Sequence, residues 1–162
     1  AGEPCWIFNP SNNSWTQMAD APRERKYHSH ALLLSTGEVM SAGWHNNSMI
    51  DIFAPPYLFK GPRPEIDSVP DEIHLGCDFE IYTHQAYQIK KVVLVRPMAP
   101  THNTDSEQRV VQLQFNCAGE YQLTATAPNG WHPHATAPRG YYMLFILNHD
   151  GVPSVAKFVR LD

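Results

Sequence analysis

The stretch that decides the fold is Met98-Ala99-Pro100-Thr101-His102-Asn103-Thr104-Asp105-Ser106-Glu107-Gln108-Arg109, a polar loop between two strand-like runs. The runs are Val92-Val93-Leu94-Val95 before the loop and Val110-Val111-Gln112-Leu113-Gln114-Phe115 after it. β-branched and apolar residues favour strands, and a loop held between strands is a common position for binding groups. His102, at the head of this loop, is therefore the first residue whose function has to be explained.

Short strands separated by turn signals fill the chain from residue 62 to residue 162. The glycine and prolines of Gly61-Pro62-Arg63-Pro64 indicate a boundary before them. Six or seven short strands over about 100 residues predict an immunoglobulin-like β-sandwich for residues 62–162. The predicted strands are Phe79–Tyr82, Lys91–Arg96, Val110–Phe115, Tyr121–Ala125, Tyr141–Leu147 and Ser154–Leu161.

Residues 1–61 have a different pattern of strands and turns. Cys5-Trp6-Ile7-Phe8 and Ser14-Trp15-Thr16 flank a turn-forming stretch, and Ala31-Leu32-Leu33-Leu34 is predicted to be a buried strand. A glycine turn follows, and the chain returns along Val39-Met40-Ser41-Ala42-Gly43. This order resembles one kelch repeat, with a period of about 50 residues, and closing a propeller needs about four to eight blades. The predicted fold class is therefore all-β: a partial kelch β-propeller segment (1–61) followed by the sandwich (62–162).

Charge and hydropathy exclude two classes of partner. The formal net charge is −4 and no basic stripe is visible, so no nucleic acid partner is expected. No run of about 18 apolar residues is present, so no membrane span is predicted. The start, Ala1-Gly2-Glu3-Pro4-Cys5, does not have the pattern of a signal peptide.

Cysteines and sequons give weaker information. Three cysteines are too few for a disulfide framework, and the pairing of Cys5 with Cys77 or Cys117 stays open. Two sequons, Asn12-Asn13-Ser14 and Asn46-Asn47-Ser48, permit glycosylation if the protein is secreted from a eukaryotic cell.

Tyr27 and His28 are candidate metal ligands at the start of a predicted strand. Adjacent side chains of a strand point in different directions, yet both can reach one ion if the strand end bends. Phenolate and imidazole suit copper(II), which favours a square or tetragonal set of nitrogen and oxygen ligands. The alternative is structural, because kelch repeats without a catalytic role also carry an arginine followed by a His-Ser pair that packs between blades.

His102 is the third candidate ligand, in a loop that the hydroxyl and carboxylate groups around it can fix by hydrogen bonding. The alternative is an exposed loop histidine without a ligand. His30 is expected to pack or hydrogen-bond on its strand. The remaining histidines are expected to be solvated or, for the last two, to bind metal only adventitiously: His45, His74, His84, His149, His132 and His134.

Seven blocks, in order along nearly the whole chain, resemble the C-terminal part of galactose oxidase and glyoxal oxidase, the copper radical oxidases. Any one block is a weak signal, whereas seven in register are specific. The blocks are Arg25-Lys26-Tyr27-His28-Ser29 with Ala31–Leu34; Ile52–Phe59; Arg63-Pro64; Val95-Arg96-Pro97 with Thr101-His102 and Gln108-Arg109; Thr126–Gly130; Pro138–Phe145; and Gly151–Lys157.

The resemblance implies a copper centre with three protein ligands from this chain. Tyr27 would be the axial ligand and the catalytic base, and His28 and His102 the nitrogen ligands. In this family the redox cofactor is a second tyrosine, cross-linked to a cysteine and oxidised to a radical. Both residues come from earlier blades, so the Cys-Tyr radical cofactor is expected from residues absent in this chain.

Three hypotheses follow from the resemblance and the missing cofactor. In the first, the chain is the C-terminal portion of a secreted, extracellular or periplasmic copper radical oxidase. That enzyme oxidises a primary alcohol, aldehyde or carbohydrate with O2 to H2O2, and an upstream propeller polypeptide accompanies the chain, which is inactive alone. In the second, the chain is an inactive module that binds carbohydrate or a protein partner, through open strand edges or through Trp131, Tyr141 and Tyr142. In the third, it is a small copper protein without radical chemistry.

Overall fold

Strands form almost all of the regular structure in the computed structural model, which describes residues 2–44, 48–102, 104–129 and 137–162. Two short 3-10 helices, Pro56–Phe59 and Ala86–Gln88, interrupt them. No helix in the described ranges has the length and apolar character needed to cross a membrane. The strands are β1 (Trp6–Asn9), β2 (Ser14–Gln17), β3 (Ser29–Leu33), β4 (Val39–Gly43), β5 (Asp51–Phe53), β6 (Glu72–Ile73), β7 (Asp78–Tyr82), β8 (Ile89–Val95), β9 (Pro100–Thr101), β10 (Thr104–Asp105), β11 (Val110–Leu113), β12 (Phe115–Gly119), β13 (Gln122–Thr126), β14 (Gly140–Asn148) and β15 (Lys157–Leu161).

The second part of the chain is a β-sandwich of two sheets. One sheet has the order β11-β8-β14-β15-β6, and the other has the order β12-β13-β7. Side chains that alternate along the strands meet between the sheets, and Ile81, Leu94, Leu123 and Leu144 are fully buried there. The predicted all-β fold with an immunoglobulin-like sandwich is confirmed.

β14 is apolar on both faces, because its sheet is the middle layer of the molecule. Tyr142, Leu144 and Ile146 face the sandwich core. Met143 and Phe145 belong to a second apolar cluster, which includes Leu33 from the first part of the chain. A strand that is covered on both faces has a continuous apolar sequence instead of an alternating one.

This second cluster joins the two parts of the chain, and we call it the seam. Beside it, the Ala156 amide donates a hydrogen bond to the Ser35 carbonyl at 2.8 Å. Arg63 donates to the carbonyl oxygens of Pro153 and Ser154 at 2.9 and 2.6 Å. The division of the chain at residues 61 and 62 stays a prediction. The seam consists of Leu33, Val93, Val95, Met143, Phe145, Leu147 and Ala156.

Residues 2–61 form two small sheets, the β1-β2 hairpin and the sheet β3-β4-β5. The prediction that residues 31–34 form a buried strand is wrong in its burial, because Ala31 is exposed and Leu32 and Leu33 are only half-buried. A three-stranded sheet with one covered face leaves its other apolar side chains in water. The large apolar residues exposed in this part are Trp6, Phe8, Trp15, Tyr27, Met49, Ile50, Ile52 and Phe59.

The sandwich strands differ from the prediction at three places, besides shifts of one or two residues at other strand ends. The predicted strand over residues 110–115 is two strands, β11 and β12, which lie in different sheets because the chain crosses the sandwich at Gln114. β15 begins at Lys157, because Ser154 instead bonds to a residue within β14: its hydroxyl accepts a hydrogen bond from the Ile146 amide at 3.1 Å. The two-residue strand β6 was not predicted, since its pairing with β15 depends on residues far away in the sequence.

We predict that Phe145→Ala lowers the free energy of unfolding by about 3–5 kcal/mol, because Phe145 is 3% exposed in the seam. Phe158→Ala, on neighbouring β15, is the control, since Phe158 is 53% exposed and its loss is expected to cost less than about 0.5 kcal/mol. Urea unfolding followed by circular dichroism measures both. Equal effects of the two substitutions would contradict the packing of the seam.

Candidate metal centre

Tyr27 and His28 lie in a tight turn directly before β3. The Ser29 amide donates to the Lys26 carbonyl at 3.0 Å and closes this turn, and His28 has a left-handed backbone with φ of 63°. The two rings stack, with their centroids 4.0 Å apart and their planes at 23°. The bend that the sequence prediction required is therefore present, and it brings two adjacent side chains to the same side.

A partly buried arginine, Arg25, holds the turn in place. Arg25 donates hydrogen bonds to the carbonyl oxygens of Gly43 and Met49 at 2.9 and 2.7 Å, and to the Asp51 carboxylate at 2.6 Å. Arg23 pairs with the other oxygen of Asp51. Residues 24–28, directly before β3, are thereby fixed to β4 and β5.

Gly43 permits the close approach of β4 to the turn. It has a φ of 104°, and a Cβ atom at this position would lie 2.4 Å from the His28 carbonyl oxygen. Only glycine meets both conditions without strain. The residue therefore contributes to the position of His28 without carrying any chemical group.

His102 lies at the tip of the loop between β8 and β11, in the short β9-β10 hairpin, with φ of 57°. Its Nδ1 atom is 3.0 Å from the Thr101 hydroxyl. The Thr104 hydroxyl donates to the Thr101 carbonyl at 3.1 Å. One oxygen of Asp105 accepts from the amides of Ala99 and Glu107 at 2.9 and 3.1 Å, so the loop is bonded internally as predicted.

The base of the His102 loop is closed by Arg96. Its amide donates to the Arg109 carbonyl at 3.0 Å, and its guanidinium pairs with the Glu107 carboxylate. The guanidinium also donates to the carbonyl oxygens of Pro138 and Arg139 at 3.2 and 3.0 Å. Partial burial alone would lower the pKa of Arg96, but the neighbouring Glu107 and Tyr142 raise it. The guanidinium thus stays charged. It links both ends of the loop to Pro138 and Arg139, the residues directly before β14.

The three predicted ligands converge, although they come from different parts of the chain. The rings of His28 and His102 have centroids 5.2 Å apart and lie at 89° to each other. The Tyr27 ring is 5.9 Å from the His102 ring. All three side chains are exposed, and Tyr27 is 68% exposed.

Two imidazoles and one phenol offer donor atoms that suit copper(II), and the two histidine rings also have a compatible spacing. Imidazole nitrogens bind metals at about 2 Å, so rings that share one ion have centres roughly 4–6 Å apart. The separation of 5.2 Å between His28 and His102 lies in this range. The near-perpendicular rings can approach one ion without colliding with each other.

The other histidines do not join this group in the described structure. His30 is half-buried on β3, and its Nδ1 atom has no hydrogen-bond partner among the described residues. His84 pairs with Asp67 at 2.6 Å on the surface. His149 is exposed in a turn. His45, His132 and His134 lie outside the described residues, as does Trp131.

A second group of possible ligands was not predicted from the sequence. The ligand atoms of Glu72, His74 and Asp162 lie within 4.8 Å of one another on the surface. Arg160 already pairs with both carboxylates, at 2.8 and 3.2 Å. Arg139 also pairs with Asp162, at 3.1 Å, so two guanidinium groups balance the two carboxylates and the arrangement is explained without a metal. The pairing of β6 with β15 brings these residues together, and no local sequence pattern indicates it.

The cysteines form no disulfide in the structure. Cys5, Cys77 and Cys117 are all free thiols, so the pairing left open by the sequence is not made. The Cys117 thiol lies 3.4 Å from the Ala86 carbonyl oxygen, and the Cys5 thiol lies 3.9 Å from that of Glu3.

A family model described as "Galactose oxidase-like, Early set domain" matches residues 63–161. Among curated proteins, an aldehyde oxidase of Vitis pseudoreticulata is 33% identical over 85% of this chain and 30% of its own length. A galactose oxidase of Gibberella zeae is 29% identical over 96% of this chain and 24% of its own length. The chain therefore spans less than a third of either relative.

A solved structure is also similar to this chain over nearly its full length. It is a fungal alcohol oxidase in complex with copper, which superposes with a TM-score of 0.86 at 31% identity. The similarity covers 98% of this chain and 35% of the oxidase chain. Both the first part and the sandwich of this chain are thus included in the superposition.

We predict that Asp105→Ala loosens the His102 loop without unfolding the sandwich. The substitution removes an acceptor for two loop amides and is expected to cost about 1–3 kcal/mol locally. Hydrogen exchange at the amides of Ala99 and Glu107 should accelerate, while exchange in β14 stays slow. Asp150→Ala, in another surface turn, is the control. Unchanged exchange at both loop amides would contradict the assigned role of Asp105.

Proposed function

The chain belongs to the galactose oxidase-like early set family, and from this premise we propose that it is the C-terminal portion of a copper radical oxidase. The complete enzyme oxidises primary alcohols, aldehydes or alcohol groups of carbohydrates with O2 and releases H2O2. The observation that carries the proposal is the convergence of Tyr27, His28 and His102 from the two parts of the chain. Relatives named as aldehyde oxidase, galactose oxidase and copper-bound alcohol oxidase support it.

In this proposal, His28, His102 and Tyr27 hold the copper ion. Bound copper lowers the pKa of a coordinated hydroxyl group and exchanges single electrons. His28 and His102 supply neutral imidazole nitrogens and orient the site. Tyr27 carries the proton chemistry: its phenolate Oη accepts the hydroxyl proton of the substrate, which is general-base catalysis.

For this oxidation, the chain supplies the proposed copper ligands but not the radical cofactor. A two-electron oxidation at one copper ion needs a second one-electron centre, which in the family is the Cys-Tyr radical cofactor. Cys77 and Cys117 lie in the sandwich, and the thiols of Cys5 and Cys117 contact backbone oxygens. We therefore assign the radical cofactor to an upstream propeller polypeptide, and we expect this chain alone to be inactive.

Exposed groups in residues 2–61 support the need for that upstream polypeptide. Tyr27, Ile50 and Ile52, in and beside β3 and β5, are 68, 58 and 51% exposed, and an exposed apolar patch marks a surface that a partner covers. Kelch-type blades packed beside β3-β4-β5 would cover this surface and enclose the metal centre. Residues 1–61 are accordingly proposed to be the last kelch-type segment, and residues 62–162 the C-terminal sandwich. The proposed location of the whole enzyme is outside the cell.

A second candidate function is a non-enzymatic module that binds carbohydrate or a protein partner. The observation in its favour is the exposed aromatic group of Trp6, Phe8 and Trp15 on the β1-β2 hairpin. Of the sandwich aromatics considered from the sequence, Tyr142 is fully buried, so it cannot contact a sugar. Copper stoichiometry separates the two functions, since the module has no need of a metal.

We predict that the chain binds one copper(II) ion through two nitrogen ligands. His28→Ala and His102→Ala should each weaken copper binding at least about tenfold and each remove one nitrogen coupling from the electron paramagnetic resonance spectrum. His149→Ala is the matched control, because His149 is an exposed histidine in a distant turn. Competition with a chelator measures affinity. If neither substitution alters affinity or the nitrogen couplings, the proposed metal centre is wrong.

We predict a separate role for Tyr27 in turnover. In the full-length oxidase that contains this chain, Tyr27→Phe should lower kcat about 100- to 10,000-fold, because the base is lost. The two histidine ligands remain, so copper should still be bound. Tyr87→Phe serves as control, since Tyr87 is 69% exposed in the 3-10 helix Ala86–Gln88 of the sandwich. A variant with normal kcat would exclude Tyr27 as the base.

A further inference from the structure

The turn between β1 and β2 contains a sequence motif that the oxidase chemistry does not use. This motif is Asn12-Asn13-Ser14, an asparagine followed two residues later by a serine. We propose that Asn12 is a glycosylation site that carries an N-linked oligosaccharide in the secreted protein. The inference depends on the location outside the cell given under Proposed function and is independent of the copper centre.

The turn presents the motif in a form that an enzyme can reach. Asn12 and Asn13 are exposed, and Asn13 has a left-handed backbone with φ of 53°, so the chain reverses at this point. The strands on both sides pair antiparallel from Asn9 and Ser14 downward, which makes residues 10–13 the free end of a hairpin. Exposed turns of this kind are where sequons of secreted proteins are modified.

The two reacting groups of the motif are already adjacent. The Ser14 hydroxyl donates a hydrogen bond to the Asn12 side-chain oxygen at 2.7 Å. The hydroxyl and the amide therefore lie on the same side of the turn. An acceptor site requires both groups together, and this turn brings them together.

The modification itself is a balanced group transfer. The donor class is an oligosaccharide linked to a polyprenyl diphosphate. The Asn12 side-chain nitrogen forms a bond to the anomeric carbon of the first sugar and loses one proton. The bond from that carbon to the diphosphate oxygen breaks, and the polyprenyl diphosphate leaves with the bonding electrons. No oxidant or reductant takes part.

The same turn contains a natural control. Asn9-Pro10-Ser11 also has an asparagine and a serine at the required spacing, but proline in the middle position prevents modification. The Asn9 side-chain oxygen instead accepts a hydrogen bond from the Ser11 amide at 3.0 Å. Asn12 is therefore expected to be modified while Asn9, three residues before it, is not.

The hairpin beside the site explains what a sugar would do there. Phe8 and Trp15 are directly opposite each other in the β1-β2 pairing, with ring centroids 4.9 Å apart, and both are exposed. A bulky hydrophilic group at the turn keeps this end of an apolar hairpin in water. The relatives that match this chain come from plants and fungi, whose secretory route performs this modification.

The test is expression of this chain, behind a heterologous signal peptide, in a eukaryotic host. The second sequon is first removed by Asn46→Gln, since Asn46 and Asn47 lie outside the described residues. Intact mass and peptide mapping before and after amide-linked glycan removal identify the modified asparagine. The wild-type turn is compared with Ser14→Ala, Asn12→Gln and Ser14→Thr.

The expected result is a glycan mass on Asn12, its loss in Ser14→Ala and Asn12→Gln, equal or higher occupancy in Ser14→Thr, and no glycan on Asn9. The proposal is overturned if Asn12 is unmodified in the secreted chain with the wild-type turn, even if the Ser14→Thr variant is modified. The signal peptide ensures that the chain enters the secretory route, so this failure says nothing about natural secretion. Copper binding of the unglycosylated chain is measured separately, and its outcome bears only on the oxidase proposal.

Discussion

The apolar contact across the seam is the constraint on which the rest of the structure depends. Phe145 and Met143 of the middle sheet pack against Leu33, and Leu33 follows the Tyr27-His28 turn on the same strand. The middle sheet also carries the His102 loop between two of its strands. The packing therefore determines the distance between two groups of ligands that have no covalent connection nearby. A small rotation of the two parts about the seam would separate the His102 ring from the rings of Tyr27 and His28.

The candidate ligands occupy backbone conformations that cost free energy. His28 and His102 both have left-handed φ values, which are unfavourable for side chains other than glycine by about 1–2 kcal/mol. Each is held in place by a neighbouring charged residue, Arg25 for the turn and Asp105 for the loop. Strained residues that persist in this way cluster at functional sites. The proposed metal site would account for two such positions side by side.

The sequence predicts individual strands and turns better than it predicts which of them contact one another in the fold. The strands around His102 follow from apolar runs and turn residues, and the bend at Tyr27 that a shared metal ion would require is present. The split at Gln114 was missed, because a run of apolar residues contains no sign that the chain changes sheets. The cluster around His74 was missed because a parallel pairing of distant strands creates it.

The convergence of ligands could not be deduced from local pattern either. His28 and His102 are far apart in the sequence, and only the packing of the seam brings their rings within 5.2 Å. The family resemblance supplied this contact where residue patterns could not, because a set of blocks in fixed order carries tertiary information. The middle strand shows the physical reason: its continuous apolar sequence indicates burial on both faces without indicating which elements cover it.

The pairing of β8 with β14 has a consequence for biosynthesis. β8 leads directly into the His102 loop. However, β14, with which β8 pairs, is synthesised well after that loop. Domains fold as units once their strands are available, at synthesis rates of about 5–20 residues per second. Tyr27 and His28 therefore cannot pack beside His102 until β14 has been synthesised and its sheet has folded. In the proposed oxidase, metal loading is accordingly a late maturation step, because an ion taken up earlier would meet only part of the proposed ligand set.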